Sequence, residues 1–407
     1  MQEMENLFIP YEKALSILEE HKGNFSTENK NLEDCIGAYL AEDLIADRDF
    51  PPFDRVTMDG IAIAYETFEK GQRKFTIEAT AAAGTPQQSL QNSLNCIEVM
   101  TGAIMPNGVN TVIRYEDLTI EDNQATINLD ILNHKQNVHF KGIDIVQGSI
   151  IVKQGEKLSS AEINIAAAVG KASLLVKKMP KVVIFSTGDE LVPVHETPKL
   201  HQIRRSNIYG IQATLKEWGI LSELQHLADD KEEMLRTISR LLKEYDLFIF
   251  TGGVSKGKFD YLPDVLEELR VKKHFHKIQQ RPGKPFWFGS NTNGKKIFAL
   301  PGNPVSSFVC VYMYLQFWLH KSLGIVSETL YVQLKNDVEF KPELVYFLEA
   351  TLESKPNGKL VAEAIKGNGS GDFANLVKTD GFLILPQNKS HFFANEVYPF
   401  VPYRTKW

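Results

Sequence analysis

The chain has 407 residues, and its 45 Lys and Arg against 51 Asp and Glu give a formal net charge of −6. That balance is too acidic and too mixed for a protein whose main partner is nucleic acid. A hydrophobic fraction of 43% with 24% charged residues excludes a disordered chain, and at about 150 residues per domain the length predicts two to four domains.

Pro10 to Lys22 reads as an amphipathic helix, with Ala14, Leu15, Ile17 and Leu18 on one side. From about Asp47 to His139 short β-branched runs separated by Gly, Pro and Asn predict a small β-rich domain. Ser159 and Ser160 then cap a helix over Ala161 to Val169, which Gly170 stops. Between Lys181 and Gly324 strands and helices alternate. Strands are predicted at Val182–Phe185, Leu221–Leu227, Leu247–Phe250 and Ile297–Leu300. Helices are predicted from Ser206 to Trp218, Asp230 to Glu244, Tyr261 to Arg270 and Pro304 to Leu323. Strands apolar on both faces imply a parallel sheet covered on both sides. Leu330 to Trp407 returns to short alternating strands, as in a compact barrel or sandwich.

Cys35, Cys96 and Cys310 lie far apart, which excludes a disulfide framework or a cysteine zinc site and predicts a reducing, cytoplasmic setting. The acidic, polar start Met1-Gln2-Glu3-Met4-Glu5 is unlike a signal peptide. The longest apolar run, Val305 to Leu319, is shorter than the roughly 20 residues of a membrane span, so no membrane partner is expected.

In an open parallel sheet the ligand site lies beyond the carboxyl ends of the strands, and the polar, glycine-rich segments fall there. These are Ser186-Thr187-Gly188-Asp189-Glu190, then Thr251-Gly252-Gly253-Val254-Ser255-Lys256-Gly257, then Pro301-Gly302-Asn303-Pro304. Such loops let backbone amides approach an anion, and one alone is more often only a turn; three on one edge point to a site. Gly289-Ser290-Asn291-Thr292-Asn293-Gly294-Lys295-Lys296 nearly spells a P-loop but ends in Lys and precedes a strand, so it reads as a hairpin turn. Glu190, Asp229, Asp230 and Asp260 sit at strand exits, as carboxylates holding a magnesium ion beside bound anions would. Asp229 or Asp230 could equally cap the following helix, as could Asp260 its own. Arg281-Pro282-Gly283-Lys284-Pro285 sets two cations around a turn, suited to an oxyanion or to plain solvent. His274 and His276 read as ordinary strand residues.

Asp54-Arg55-Val56-Thr57-Met58-Asp59-Gly60, Thr101-Gly102-Ala103-Ile104-Met105-Pro106, Gly142-Ile143-Asp144, Ser186 to Leu191, Ser206-Asn207, Thr251 to Asp260, Pro282-Gly283-Lys284-Pro285 and Leu300-Pro301-Gly302-Asn303-Pro304 follow one another in order. The series resembles the molybdopterin molybdenumtransferase family, the group that contains MoeA and the gephyrin E domain. The resemblance implies an elongated homodimer with four domains per subunit. They are a discontinuous helical domain at 1–47 and 142–178, a β-rich insert at 48–141, a doubly wound α/β domain of the molybdopterin-binding type at 179–326, and a C-terminal β-barrel-like domain at 327–407. It further implies transfer of molybdate to adenylylated molybdopterin with magnesium-dependent release of AMP. The molybdopterin adenylyltransferase and acceptor molybdoenzymes are the implied further partners.

By this resemblance Asp59, Thr101, Asp144, Glu190, Asp229 and Asp260 are catalytic positions, with Asp230 an alternative to Asp229, and Glu190 and Asp260 hold the metal. Thr187, Gly188, Thr251, Gly252, Gly253, Ser255, Lys256, Arg281, Lys284, Pro301, Gly302, Asn303, Pro304, Ser306 and Ser370 form the substrate and oxyanion region. The chain departs from the family at Val56 (commonly Ser), Ile61 (an aromatic), Arg281 (Lys) and Glu349 (Arg). At the last position either Lys355 or Lys366 substitutes, or the molybdate pocket is built differently. Two other readings stand beside insertion: a molybdopterin adenylyltransferase, which shares the middle domain, and a non-catalytic scaffold of the gephyrin type.

Overall fold

The computed structural model describes residues 8–254, 260–325 and 328–404. The chain forms two compact units, one of Lys30–Ile36 and Glu42–Leu174, the other of Met1–Asn29, Gly37–Ala41 and Leu175–Trp407.

In the smaller unit six strands form one mixed sheet, in the order Thr111–Arg114, Gly60–Ile63, Cys96–Val99, Lys74–Ala81, Gln124–Ile127, Leu118–Glu121. Only the pair Cys96–Val99 and Lys74–Ala81 runs parallel. Ile61, Ile63, Phe75 and Ile113 fill one core of this unit, and Val56, Ala62, Ile97, Val99 and Val112 another, as the period of two along a strand requires. The sheet is tight at Gly60, where an added Cβ would lie 1.8 Å from the Ile113 carbonyl oxygen. Gly60→Ala is therefore expected to destabilise this unit by on the order of 2–4 kcal/mol, read as a loss in the urea midpoint. A midpoint equal to wild type would contradict the close approach. The predicted helix is present at Ser160–Ala168. Ser159 Oγ accepts from the Ala161 amide at 3.2 Å, and Glu162 accepts from the Ser159 amide at 2.7 Å.

The larger unit holds the doubly wound sheet. Its elements are β1 Val182–Thr187, α1 Asn207–Glu217, β2 Ser222–Leu227, α2 Lys231–Leu241, β3 Leu247–Thr251, α3 Leu262–Glu268, β4 Lys272–His276, β5 Trp287–Ser290 and β6 Lys296–Leu300. Helix α4, Pro304–Cys310, follows; a π-helical turn over Val311–Leu315 carries it into α5, Gln316–Leu323. The strand order is β2-β1-β3-β6-β5-β4. The first four are parallel, and β5 and β4 extend the sheet antiparallel.

Alternate residues of β1, β3 and β6 serve opposite faces. Val182, Ile184, Leu247, Ile249, Phe298 and Leu300 join one core with α1, α4 and α5, against which Ala14 and Leu18 of the helix Tyr11–Glu20 also pack. Val183, Phe185, Phe248, Phe250, Ile297 and Ala299 join the other with α2 and α3. Every residue of β1, β3 and β6 is buried, which is why these strands read as continuous apolar runs.

Five further strands, β7 Leu330–Leu334, β8 Val345–Ser354, β9 Leu360–Ala364, β10 Gly381–Leu385 and β11 Val397–Pro402, close on themselves in the ring β8-β9-β7-β11-β10. The C-terminal region is thus a barrel rather than a sandwich, around Val332, Leu348, Ala362, Leu383 and Phe400. Among the described residues no helix is long and apolar enough to cross a membrane.

Candidate functional site

The carboxyl ends of β1, β3 and β6 open into a cavity of about 360 Å³. Thr187, Gly188, Thr251, Gly252, Gly253, Gly302, Asn303 and Pro304 line it together with Glu190, Asp229 and Asp260. Parallel register carries all three loops to one edge: Ser186 stands beside His226 of β2 and Thr251 of β3, and Thr251 beside Leu300 of β6.

The glycines at this edge have steric reasons. Gly252 and Gly253 have φ of +92° and +70°, and a Cβ on either would come within 2.9 and 3.0 Å of Thr187 Oγ1. Thr187 itself donates to the Thr251 carbonyl at 3.3 Å, and Thr251 to the Phe185 carbonyl at 3.3 Å, so the hydroxyls tie the loops together. At Gly188 a Cβ would fall 2.4 Å from Glu190 Oε2. The Glu190 side chain folds back over that glycine.

The two neighbouring aspartates separate here. Asp230 is the N-cap of α2, accepting from the Glu233 amide at 2.8 Å. Asp229 lines the cavity, and its amide donates to Asp189 Oδ1 at 3.1 Å. Burial raises the Asp229 carboxyl above its usual value, with the charge of Asp189 next and those of Glu190 and Asp260 adding to it. The N-cap position of α3 is Tyr261. Ser206 holds the N-cap position of α1 but makes no side-chain capping bond; the next residue, Asn207, donates instead to the Gly302 carbonyl at 2.7 Å. Ser255 and Lys256 lie outside the described residues.

A second cavity of about 510 Å³ is lined by Arg281, Lys284, Pro301, Ser306 and Ser370, and shares Asn303 with the first. Asn303 Nδ2 donates to Ser370 Oγ at 2.8 Å, and the Val305 amide to the Ser370 carbonyl at 3.1 Å, pinning the barrel loop to the start of α4. Glu349 is in this wall, 7% exposed, and burial raises its carboxyl. Lys366 lines the same cavity, whereas Lys355 is paired with Glu353 at 2.6 Å on an exposed hairpin. Of the two lysines that could offset Glu349, Lys366 is the one in place.

The remaining predicted positions belong to the smaller unit. Asp59 Oδ1 accepts from the Thr101 amide at 2.6 Å, which holds its carboxyl below the usual range. Asp144 Oδ1 is 3.0 Å from His139 Nε2, and His139 Nδ1 is 3.2 Å from an Arg55 guanidinium nitrogen. Sequence reasoning passed over Arg204 and Arg205, which line the acidic cavity. Arg205 Nε is buried with no hydrogen-bond partner. The signal was two arginines directly before Ser206-Asn207, a helix start at the sheet edge.

Among the described residues no group of three or more His, Cys, Asp or Glu side chains is arranged to hold a metal ion on its own. A doubly wound sheet with glycine-rich loops at its carboxyl edge, opening on an acidic cavity that shares Asn303 with a basic one, defines an α/β protein with its candidate ligand site at that edge. The match to known families is more specific. Residues 9–170 match the MoeA N-terminal region (domain I and II), 183–321 the domain described as "Probable molybdopterin binding domain", and 331–403 the MoeA C-terminal region (domain IV). A protein of Synechocystis sp. named molybdopterin molybdenumtransferase is 43% identical over 394 residues, covering 95% of this chain and 98% of its own. One of the same name from Haemophilus influenzae is 29% identical over 389 residues, covering 93% and 94%. The crystal structure of the MoeA protein of molybdopterin biosynthesis from Pyrococcus horikoshii superposes with a TM-score of 0.83 at 27% identity, covering 98% of this chain and all of that one. The chain belongs to the MoeA family of molybdopterin molybdenumtransferases.

Proposed function

We propose that this protein inserts molybdenum into molybdopterin, joining molybdate to the dithiolene of the adenylylated pterin with release of AMP. The carrying observation is the pair of cavities that meet at Asn303, one rich in carboxylates and one in cations. The loop amides of Gly252 and Gly253 and the cations Arg204 and Arg205 bind the phosphates. Arg281, Lys284 and Lys366 hold molybdate, with Ser306 and Ser370 as hydroxyl donors. Pro301 and Pro304 fix the turn that separates the two anions. Asp59 and Thr101 act in the same reaction from the β-rich insert, and Asp144 from the adjoining helical domain.

Glu190 and Asp260 fit a magnesium ion. They offer hard oxygen donors, and two carboxylates leave the remaining positions to water and substrate phosphate, the usual arrangement for this ion. The Asp229 carboxyl is raised first by burial, but the charges of Asp189, Glu190 and Asp260 add to the shift, and that grouping of acids supports the fit. When bound, the ion supplies charge neutralisation between the phosphoanhydride and molybdate.

The reading includes four domains with the boundaries set out above, a homodimer and a cytoplasmic setting; three buried free thiols, Cys35, Cys96 and Cys310, support the last. Light scattering at micromolar concentration should give about twice the 46.0 kDa chain mass; a fully active monomer would remove the dimer from the account. Product analysis tests the reaction. Molybdenumtransferase activity yields AMP from adenylylated molybdopterin. Pyrophosphate from ATP and free molybdopterin would mean adenylylation instead, and turnover of neither would mean a scaffold.

A further inference from the structure

The opposite edge of the same sheet carries a feature the proposed reaction does not use. The amino-terminal ends of β1, β3 and β6 border a cavity of about 700 Å³, larger than either cavity at the carboxyl edge. Five residues of β-strand separate the two edges, roughly 17 Å at the usual rise. The cavity is lined by Lys22, Lys178, Lys181, Lys243 and Lys296, with Lys295 and the acids Glu244 and Asp246.

Asp246 is held by residues of the cavity itself, where the Lys181 charge also acts on it, and Glu244 is engaged by Arg240. Asp246 accepts from Lys295 Nζ at 2.9 Å and from the Lys181 amide at 3.0 Å, and Glu244 lies 3.7 Å from the Arg240 guanidinium. None of the other five ammonium groups has an ion pair or hydrogen bond among the described residues. Four of them are exposed, and unpaired surface lysines mean little by themselves.

Lys296 is different. It is 8% exposed at the head of β6, and burial alone lowers its ammonium below the usual value, with no acid acting against that shift. The neighbouring histidines give no counter-charge: His21 and His274 stack at 3.6 Å, and His274 is held down at about 4, so it is neutral at physiological pH. A buried ammonium without an anion costs stability that a Met or Leu of similar size would not. A bound anion at this point would offset that cost.

The walls are built rather than incidental. Gly23 sits so close to the Phe25 and Trp318 rings that a Cβ would fall 2.8 and 3.2 Å from them. Those rings meet edge to face at 5.9 Å, and Trp318 Nε1 donates to the His21 carbonyl at 3.1 Å. An aromatic wall beside one buried and four exposed cations suits an organic molecule carrying several negative charges.

We propose that this cavity binds a phosphorylated small molecule through its oligophosphate, with Lys296 at the base meeting a phosphate oxygen and the exposed lysines meeting the rest. The inference is independent of the molybdenum reading, since its residues and its edge of the sheet are different.

The test is calorimetric titration of the full chain with sodium tripolyphosphate and, separately, with ATP. Both are run in an Arg204→Met, Arg205→Met, Lys284→Met background, so that the cations of both carboxyl-edge cavities are removed and those cavities contribute little. Binding is expected for both ligands, and Lys296→Met added to this background should weaken it by tenfold or more. Tighter binding of ATP than of tripolyphosphate would show the aromatic wall engaging the base; equal binding would show the oligophosphate acting alone, and either fits the proposal. Lys296→Met is also expected to raise the melting temperature of the free protein, so loss of binding cannot be ascribed to unfolding. Lys359→Met, an exposed hairpin lysine, is the control for general charge. Unchanged affinity in Lys296→Met, or an equal loss in Lys359→Met, would overturn the proposal.

Discussion

Glu190→Gln is expected to reduce AMP release by a factor on the order of a hundred, the scale for losing an electrostatic contributor at a charge-forming centre, while the fold survives. The side chain is exposed and folds over Gly188, so the change removes a charge without opening a cavity in a core. Molybdate and the phosphoanhydride are both anions, and their repulsion in a partly desolvated cleft is what a divalent ion held by Glu190 and Asp260 would relieve. Asp260→Asn should therefore act in the same direction, and raised magnesium should recover part of either loss. Substrate binding should hold or tighten, since one negative charge has left an acidic cavity. If these acids only tied loops together, the melting temperature would fall and turnover per folded molecule would stay. Measuring both on the same preparations separates the two, and unaltered turnover in Glu190→Gln would take it off the catalytic list.

Glu349→Gln should act oppositely, strengthening molybdate binding by on the order of tenfold. The acid is buried in the wall of the cavity that holds Arg281, Lys284 and Lys366. When ionised it opposes the field those cations present to an oxyanion. Its carboxyl is raised, first by burial and further by the nearby charge of Asp372, and only partly lowered by its hydrogen bonds to backbone and to Asn375. The folded state thus takes up the proton more readily than the unfolded chain. The resulting stability is present at low pH and declines as pH rises from the unfolded carboxylate value through the raised folded one. Wild-type molybdate affinity should weaken over the same rise, as Glu349 acquires its charge, and the Gln variant should lack that component. Equilibrium dialysis of molybdate at several pH values reads this out. An identical pH profile in the two proteins would show that Glu349 does not face the anion.

The α/β domain was legible because its strands are buried on both faces and its helices have clear ends. Val182–Phe185 and Leu247–Phe250 could be little else; in the smaller unit Ser159 and Ser160 marked a helix start, and Glu162 completing a capping box there appears only in the structure. The antiparallel extension by β4 and β5 was not foreseen as part of the sheet, because Lys272–His276 has two lysines and two histidines with Phe275 its one apolar residue, and β5 carries Gly289. Both residue types depress strand character locally, and tertiary pairing overrides them. At the site, glycine loops and acids were visible from spacing alone. Asp229 could not be told from Asp230, since either spells an N-cap; only the geometry of the Asp230 bond to the Glu233 amide separates them. Arg205 was missed because a charged residue before a helix reads as solvated until its burial is seen. Lys296 is hidden because a lysine ending a Gly-Lys-Lys turn reads as solvated until the strand it opens is seen to be buried.

The most direct measurement is AMP release in a single turnover, with purified protein in excess over adenylylated molybdopterin in the presence of magnesium, with and without molybdate. The account predicts that molybdate accelerates AMP release and that one AMP appears for each molybdenum bound to the pterin. AMP release that is indifferent to molybdate, with no molybdenum on the product, would contradict it.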